Sequence, residues 1–97
     1  MGDSMRTSIS ALHAWALAHL QDDEFALAAR VIRRMLILLP PSHESRPSLL
    51  VTLAFAHHEA GEVDEARRVA EQATKLDPQN ALAWQQVRRA ERALKAS

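Results

Sequence analysis

An all-α solenoid of stacked helical hairpins is the fold class this sequence predicts, and three observations predict it. Apolar residues recur at i, i+3, i+4 and i+7 through five segments. The alternating pattern of strands is absent. The chain also resembles itself when it is slid along until Trp15 falls on Leu53. The apolar spacing places helices near residues 8–20, 24–39, 47–60, 63–76 and 80–95. The breaks between them are Gln21-Asp22-Asp23, the long Pro40 to Arg46 segment, Gly61-Glu62 and Asp77-Pro78-Gln79.

The first and third helices correspond. The displacement that sets Trp15 on Leu53 also sets Ala16 on Ala54 and His19 on His57. The second and fourth correspond in the same way, through Phe25 and Val63, Ala28 and Ala66, Met35 and Ala73, and Pro40 and Pro78. A further, slightly shorter displacement sets Leu50 on Trp84 and Leu53 on Val87, so the fifth helix opens a third unit that lacks its second helix. The Pro41 to Pro47 loop absorbs the difference between the two displacements. A helix-turn-helix period of about 34 residues, as in the second displacement, is the tetratricopeptide spacing. Gly61, Val63, Ala66, Ala70, Ala73 and Pro78 resemble the second half of that family's consensus, with Leu53 and Ala54 where a Leu-Gly pair is usual and Trp84 as the tryptophan that opens a unit. The resemblance covers about residues 9–95 and implies a right-handed solenoid of two helix pairs plus a fifth helix in a single domain, residues 1–97. Its first unit spans about 9–42, the loop insertion about 41–46, the second unit about 47–80 and the terminal helix about 81–95.

Each punctuation residue has a physical reason. Gly61 can take the positive φ that closes one helix tightly on the next. Ala66 and Ala73 remove bulk where antiparallel helices approach to within about 8–10 Å. Asp77-Pro78 stops the fourth helix because the residue before proline is pushed out of the α region. The carboxylates of Asp22, Asp23, Glu24 and the Glu62 to Glu65 group sit at helix starts, where capping and the helix dipole explain them.

Composition narrows the function classes. The chain has 97 residues, 47% hydrophobic and 25% charged, as in a folded domain with a thin core. Twelve basic and twelve acidic residues leave no global field to steer nucleic acid. Arg88, Arg89, Arg92 and Lys95 make the last helix basic, and solvated charge explains them better than phosphate binding. Arg33-Arg34 and Arg67-Arg68 read as solvated outer faces of the second helices, with Arg67 and Glu71 an i,i+4 pair. Cysteine is absent, and no apolar run is long enough to span a bilayer. The N-terminus lacks the apolar stretch of a secretion signal, and Arg6 stands where the myristoylation pattern wants Ser or Thr. A cytoplasmic protein is therefore expected.

No enzyme is expected. Nucleophile elbow, Walker loop and dinucleotide glycine fingerprint are all missing. Adjacent helical residues point about 100° apart, so His57 and His58 cannot share a metal, and His19 and His57 read as packing histidines. No cofactor or metal is expected. Trp15 and Trp84, at packing positions of the repeat, read as core rather than stacking platforms for bases.

The first helix of each pair carries two apolar stripes, more than packing requires. Leu12, Trp15, Ala16 and His19 face inward in the first helix, and Leu50, Leu53, Ala54 and His57 in the third. His13, Leu17 and Leu20, with Val51, Phe55 and His58, form a second stripe about 100° away. In tetratricopeptide folds that stripe lines the concave groove. The resemblance therefore makes His13, Leu17, Leu20, Val51, Phe55, His58 and Leu82 the expected partner-binding residues. Lys, Arg and Asn are missing from the first two groove helices, which argues against a clamp for a C-terminal carboxylate. An apolar groove suits an amphipathic helix of a protein partner. The whole is similar to the small cytoplasmic chaperones of bacterial type III secretion systems, which hold an assembly subunit unpolymerised before export. The alternative is a self-assembling structural repeat module without a dedicated client, its groove covered by a second copy or by Met1 to Thr7. The unfinished third unit leaves Val87, Ala90 and Leu94 as a face to be covered.

Overall fold

The computed structural model describes the backbone of residues 2–96 and the side chains of residues 9–96. It contains five helices: α1 (Gly2–Gln21), α2 (Phe25–Leu38), α3 (Arg46–Glu59), α4 (Val63–Leu76) and α5 (Ala81–Ala96). Consecutive helices pack against each other and α5 also touches α3, which makes an all-α, tetratricopeptide-like helical solenoid. Four of the five starts fall at or next to the position the apolar pattern suggests. Helix α1 begins well before it, at Gly2, because no proline or turn pair interrupts Gly2 to Ser8 and a helix continues until something stops it. Covering of the groove by Met1 to Thr7, and any role of Arg6, concern side chains outside the described residues.

The internal repeat is visible in individual bonds. Asp23 has φ 58°, and its equivalent in the second unit, Gly61, has φ 85°. The next residues, Glu24 and Glu62, share nearly the same backbone angles, and their N–H groups donate to the carbonyls of His19 and His57, both at 2.8 Å. A β-carbon at Gly61 would meet nothing within 4 Å, so glycine is needed there for its conformation and not for space. Glu24 and Glu62 occupy N-cap positions but make no side-chain capping bond. Their carboxylates instead reach back to the Nδ1 atoms of His19 and His57, at 3.2 and 3.3 Å. Capping is thus not what these two glutamates do.

His57 is buried and held from two sides, by Arg33 of α2 and by Glu62 of the turn after α3. Arg33 on α2 lies 3.0 Å from its Nε2 through Nη2. A guanidinium can only donate, so Nε2 accepts and Nδ1 carries the hydrogen shared with Glu62. Arg33 also pairs with Glu65 of α4 at 3.6 Å, so the reading of Arg33 as a merely solvated surface residue is corrected: it ties α2 to α3 and α4. Arg67 and Glu71 do pair, at 3.7 Å.

Burial follows from which neighbours each helix has. Helix α3 lies between two hairpins and buries Leu50, Leu53, Ala54, Ala56 and His57. On α1, whose one close partner is α2, the equivalents of Leu50, Ala54 and His57 are Leu12, Ala16 and His19, and these are buried or half-buried. The equivalents of Leu49, Leu53 and Ala56 are Ala11, Trp15 and Ala18, and all are exposed. Helix α5 shows the reverse: Ala83, Val87 and Ala90 are buried against the preceding hairpin, while Trp84, Arg88 and Glu91 are exposed. Each first helix thus has two seams, one for the preceding hairpin and one for its own partner, and among the described residues only α3 has both filled.

This corrects two expectations. Trp15 and Trp84 are not core: they are 61% and 43% exposed, because the helix each should pack against is missing from the described chain. Trp84 keeps one anchor, its Nε1 donating to the Pro78 carbonyl at 2.7 Å. Val87 and Ala90 need no further cover, since α4 already provides it. The Pro40 to Arg46 loop is a structural tie as well as a spacer. Arg46 Nη2 donates to the carbonyls of Leu36 and Leu39 at 2.6 and 3.0 Å, closing the end of α2 that lacks intrahelical partners.

Two substitutions test this account. Ala54, fully buried between seams, has no room for growth, so Ala54→Leu is expected to lower stability in urea denaturation by about 1–3 kcal/mol through overpacking. Gly61→Ala is expected to cost about 1–2 kcal/mol, the penalty of an L-residue in the left-handed region alone. No loss at Ala54 would contradict the packing described.

Candidate functional site

By the repeat register, equivalent positions on α1, α3 and α5 form rows across the expected groove. One row is Leu17, Phe55 and Arg89; a second is His13, Val51 and Gln85; a third is Leu20, His58 and Arg92. The surface is apolar at α1, mixed at α3 and basic at α5. Among the expected groove residues, Leu17 and Leu82 are 46% and 60% exposed. Leu20, Val51, Phe55 and His58 are half-buried, and His13 is exposed. Leu20 and Val51 rest on the core, which leaves only part of each side chain for a partner.

The best-built part lies around Phe55. The Phe25 ring, from the start of α2, meets it edge-on at 5.9 Å between centroids and 83° between planes. On the other side the Arg89 guanidinium carbon stands 5.6 Å from the ring centre, and the same guanidinium pairs with Glu59. Arg89 is therefore not simply solvated charge on an end helix: it bridges α5 to α3 across the concave wall. Arg88, Arg92 and Lys95 are exposed, as expected. The sequence does not mark Phe25 or Arg89 as site residues: the first corresponds to Val63 in the repeat, and the second is one of several basic residues on the last helix.

His58 borders this cluster. Its pKa is held below the ordinary value near 6.5, first by burial and then by the Arg89 charge, with Glu59 opposing. Its Nδ1 is buried without a hydrogen-bond partner, consistent with a neutral ring.

His13 falls apart from the others. It lines a recess of about 630 Å3 between α1, the end of α2, the loop and the start of α3, floored by Ile9, Met35, Leu39 and Leu49 and edged by His43 and Thr52. The sequence offered one signal for it, the loop insertion before α3, whose His43 and Ser45 form part of the wall. Among the described residues, no three His, Asp or Glu side chains converge as metal ligands would, and no helix is long and apolar enough to cross a membrane.

Residues 47–92, from α3 into α5, match the family model of the tetratricopeptide repeat. Repeats of this kind serve as protein-interaction modules. No curated protein matches the chain.

Because folding lowers the proton affinity of His58, the unfolded chain binds the extra proton first on acidification. The stability this residue contributes is complete above about pH 6.5 and is lost as pH falls through the lower folded value. Arg89→Gln is expected to raise the His58 pKa in an NMR titration. An unmoved titration midpoint would show that Arg89 does not face His58 in solution.

Proposed function

We propose, from the premise that residues 47–92 form a tetratricopeptide unit, that this protein binds an amphipathic helix of a protein partner along the concave face of α1, α3 and α5. The observation that carries the reading is the exposure of Leu17 and Leu82 on a face where Leu20, Val51 and Phe55 are only half-covered. A monomer gains nothing from leaving such side chains partly wet, whereas a partner gains about 1.5–3 kcal/mol for each one it buries, before association costs. In this reading His13 and His58 supply the polar margins of that face. The increase in positive charge toward α5 favours a helix with apolar anchors at i, i+3, i+4 and i+7 and an acidic flank on that side.

In this reading the protein is a small cytoplasmic chaperone or adaptor without catalytic activity, of the kind that type III secretion systems use to keep an assembly subunit from polymerising. The stacked helical hairpins and the half-covered apolar face support it. A second reading, a self-assembling structural module, draws on the exposed Trp15 and Leu27.

The test uses a fluorescein-labelled synthetic helix with four leucine anchors and a glutamate flank, titrated by anisotropy. Leu17→Glu and Leu82→Glu are each expected to weaken binding about tenfold or more, with circular dichroism unchanged, since losing one anchor removes upwards of about 1.4 kcal/mol. Equal affinity of both variants and the unmodified chain would place the binding surface elsewhere. Capture of a small subunit by the unmodified chain but not by Leu17→Glu, in the native cell, would extend the result to a natural partner.

A further inference from the structure

The half-buried ring of His58 lies near the contact between α3 and α5, in the register row that joins Leu20 to Arg92. Its Nδ1 is buried without a hydrogen-bond partner. A neutral imidazole carries a single N–H. At Nδ1 that hydrogen would be stranded, so it belongs on Nε2, and Nδ1 is left as an unfilled acceptor. A second proton has to enter at Nδ1, where among the described residues no acceptor meets it.

Two charges act on the ring: Arg89 of α5, which opposes a second proton, and Glu59 on its own helix, which favours one. Glu59 is already engaged by Arg89, which also stands over the Phe55 ring. Arg92, in the same row on α5, is exposed and adds a further cation on that side. On α1 the row supplies Leu20. Beyond it, Asp23 and Glu24 share an open recess with Glu59 beside Phe25, and Glu24 is held by His19. The adjacent His57 is buried, its nitrogens taken by Arg33 and Glu62. Among the described residues no charge of α1, α2 or α4 acts on the His58 ring. A charged His58 therefore lacks an uncommitted carboxylate, and an acid-flanked helix laid along the basic α5 side brings one.

We propose that client binding is coupled to a proton on His58: an acidic side chain of the bound helix comes to rest beside His58 and Arg92, and the groove holds such a helix more tightly as pH falls. Resting on the concave-face reading above, this coupling adds its regulation. In the free chain, burial and then Arg89 keep the His58 pKa below its ordinary value. A client carboxylate at the ring raises it again. Over the interval between the two values the complex holds a proton that the free chain does not, so affinity increases on acidification. Folding alone has the opposite sign, since the free chain loses stability as His58 is protonated.

The test is calorimetric titration with two synthetic helices that share four leucine anchors, one flanked by glutamate and the other by glutamine. The glutamates stay largely ionised between about pH 5.5 and about pH 7.5, so a change in this range reports histidine. The glutamate helix is expected to bind about threefold or more tightly at the lower pH, with net proton uptake measured in buffers of different ionisation enthalpy. The glutamine helix is expected to show no such gain. His58→Gln should still bind the glutamate helix, with the pH dependence and the proton uptake both lost. Binding of the glutamate helix that ignores pH, an equal gain for the glutamine helix, or a pH dependence that survives His58→Gln and disappears with His13→Gln would overturn the coupling alone. Absence of binding by either helix at every pH would overturn the concave-face reading and the coupling with it.

Discussion

Every first helix in this molecule must be sealed along two seams, and the supply of neighbouring helices decides where that happens. Among the described helices α3 alone has both neighbours, so it buries residues along both seams. The terminal helices α1 and α5 each satisfy one seam and leave the other open. Core, edges and concave face are consequences of this single constraint. A slab of 47 × 30 × 17 Å is scarcely two helices thick, so among the described residues no third layer hides what the seams leave out.

Polar ties keep the hairpins in register where apolar packing is thin. The Glu62–His57–Arg33–Glu65 chain joins a turn, α3, α2 and α4, and buries an imidazole whose two nitrogens are both satisfied. Its half-formed copy at His19 and Glu24 lacks an arginine, because among the described residues no helix precedes α1. The interhelical Arg33–Glu65 contact is partly exposed and contributes little by itself. The hydrogen bonds to buried His57 matter more, since an unpaired imidazole there would cost the full desolvation of its polar atoms.

The concave face arises from the same geometry. Equivalent positions on parallel helices point the same way, so a residue type chosen at one site in the repeat becomes a row across three helices. The chain changes the residue along each row, from Leu17 to Phe55 to Arg89, so the row runs from apolar to cationic. Arg89 also anchors α5 to α3, through Glu59 and the Phe55 ring.

Local and periodic features were legible in the sequence: five helices, the turn glycine, the proline stop after Asp77, and the internal displacement that equates His19 with His57. They are legible because helical period, φ preference and proline sterics act over a few residues, and a repeat shows itself wherever these recur. The candidate groove was readable as a stripe on a wheel, though not as a set of contacts. What only the tertiary structure decided is which seam of each helix meets a neighbour. Trp15 and Trp84 occupy packing positions by register and are exposed all the same, and Arg33 and Arg89 look like surface charge and turn out to be cross-helix ties. Burial is a property of pairs of elements, and a sequence pattern specifies a face without specifying whether anything is there to cover it.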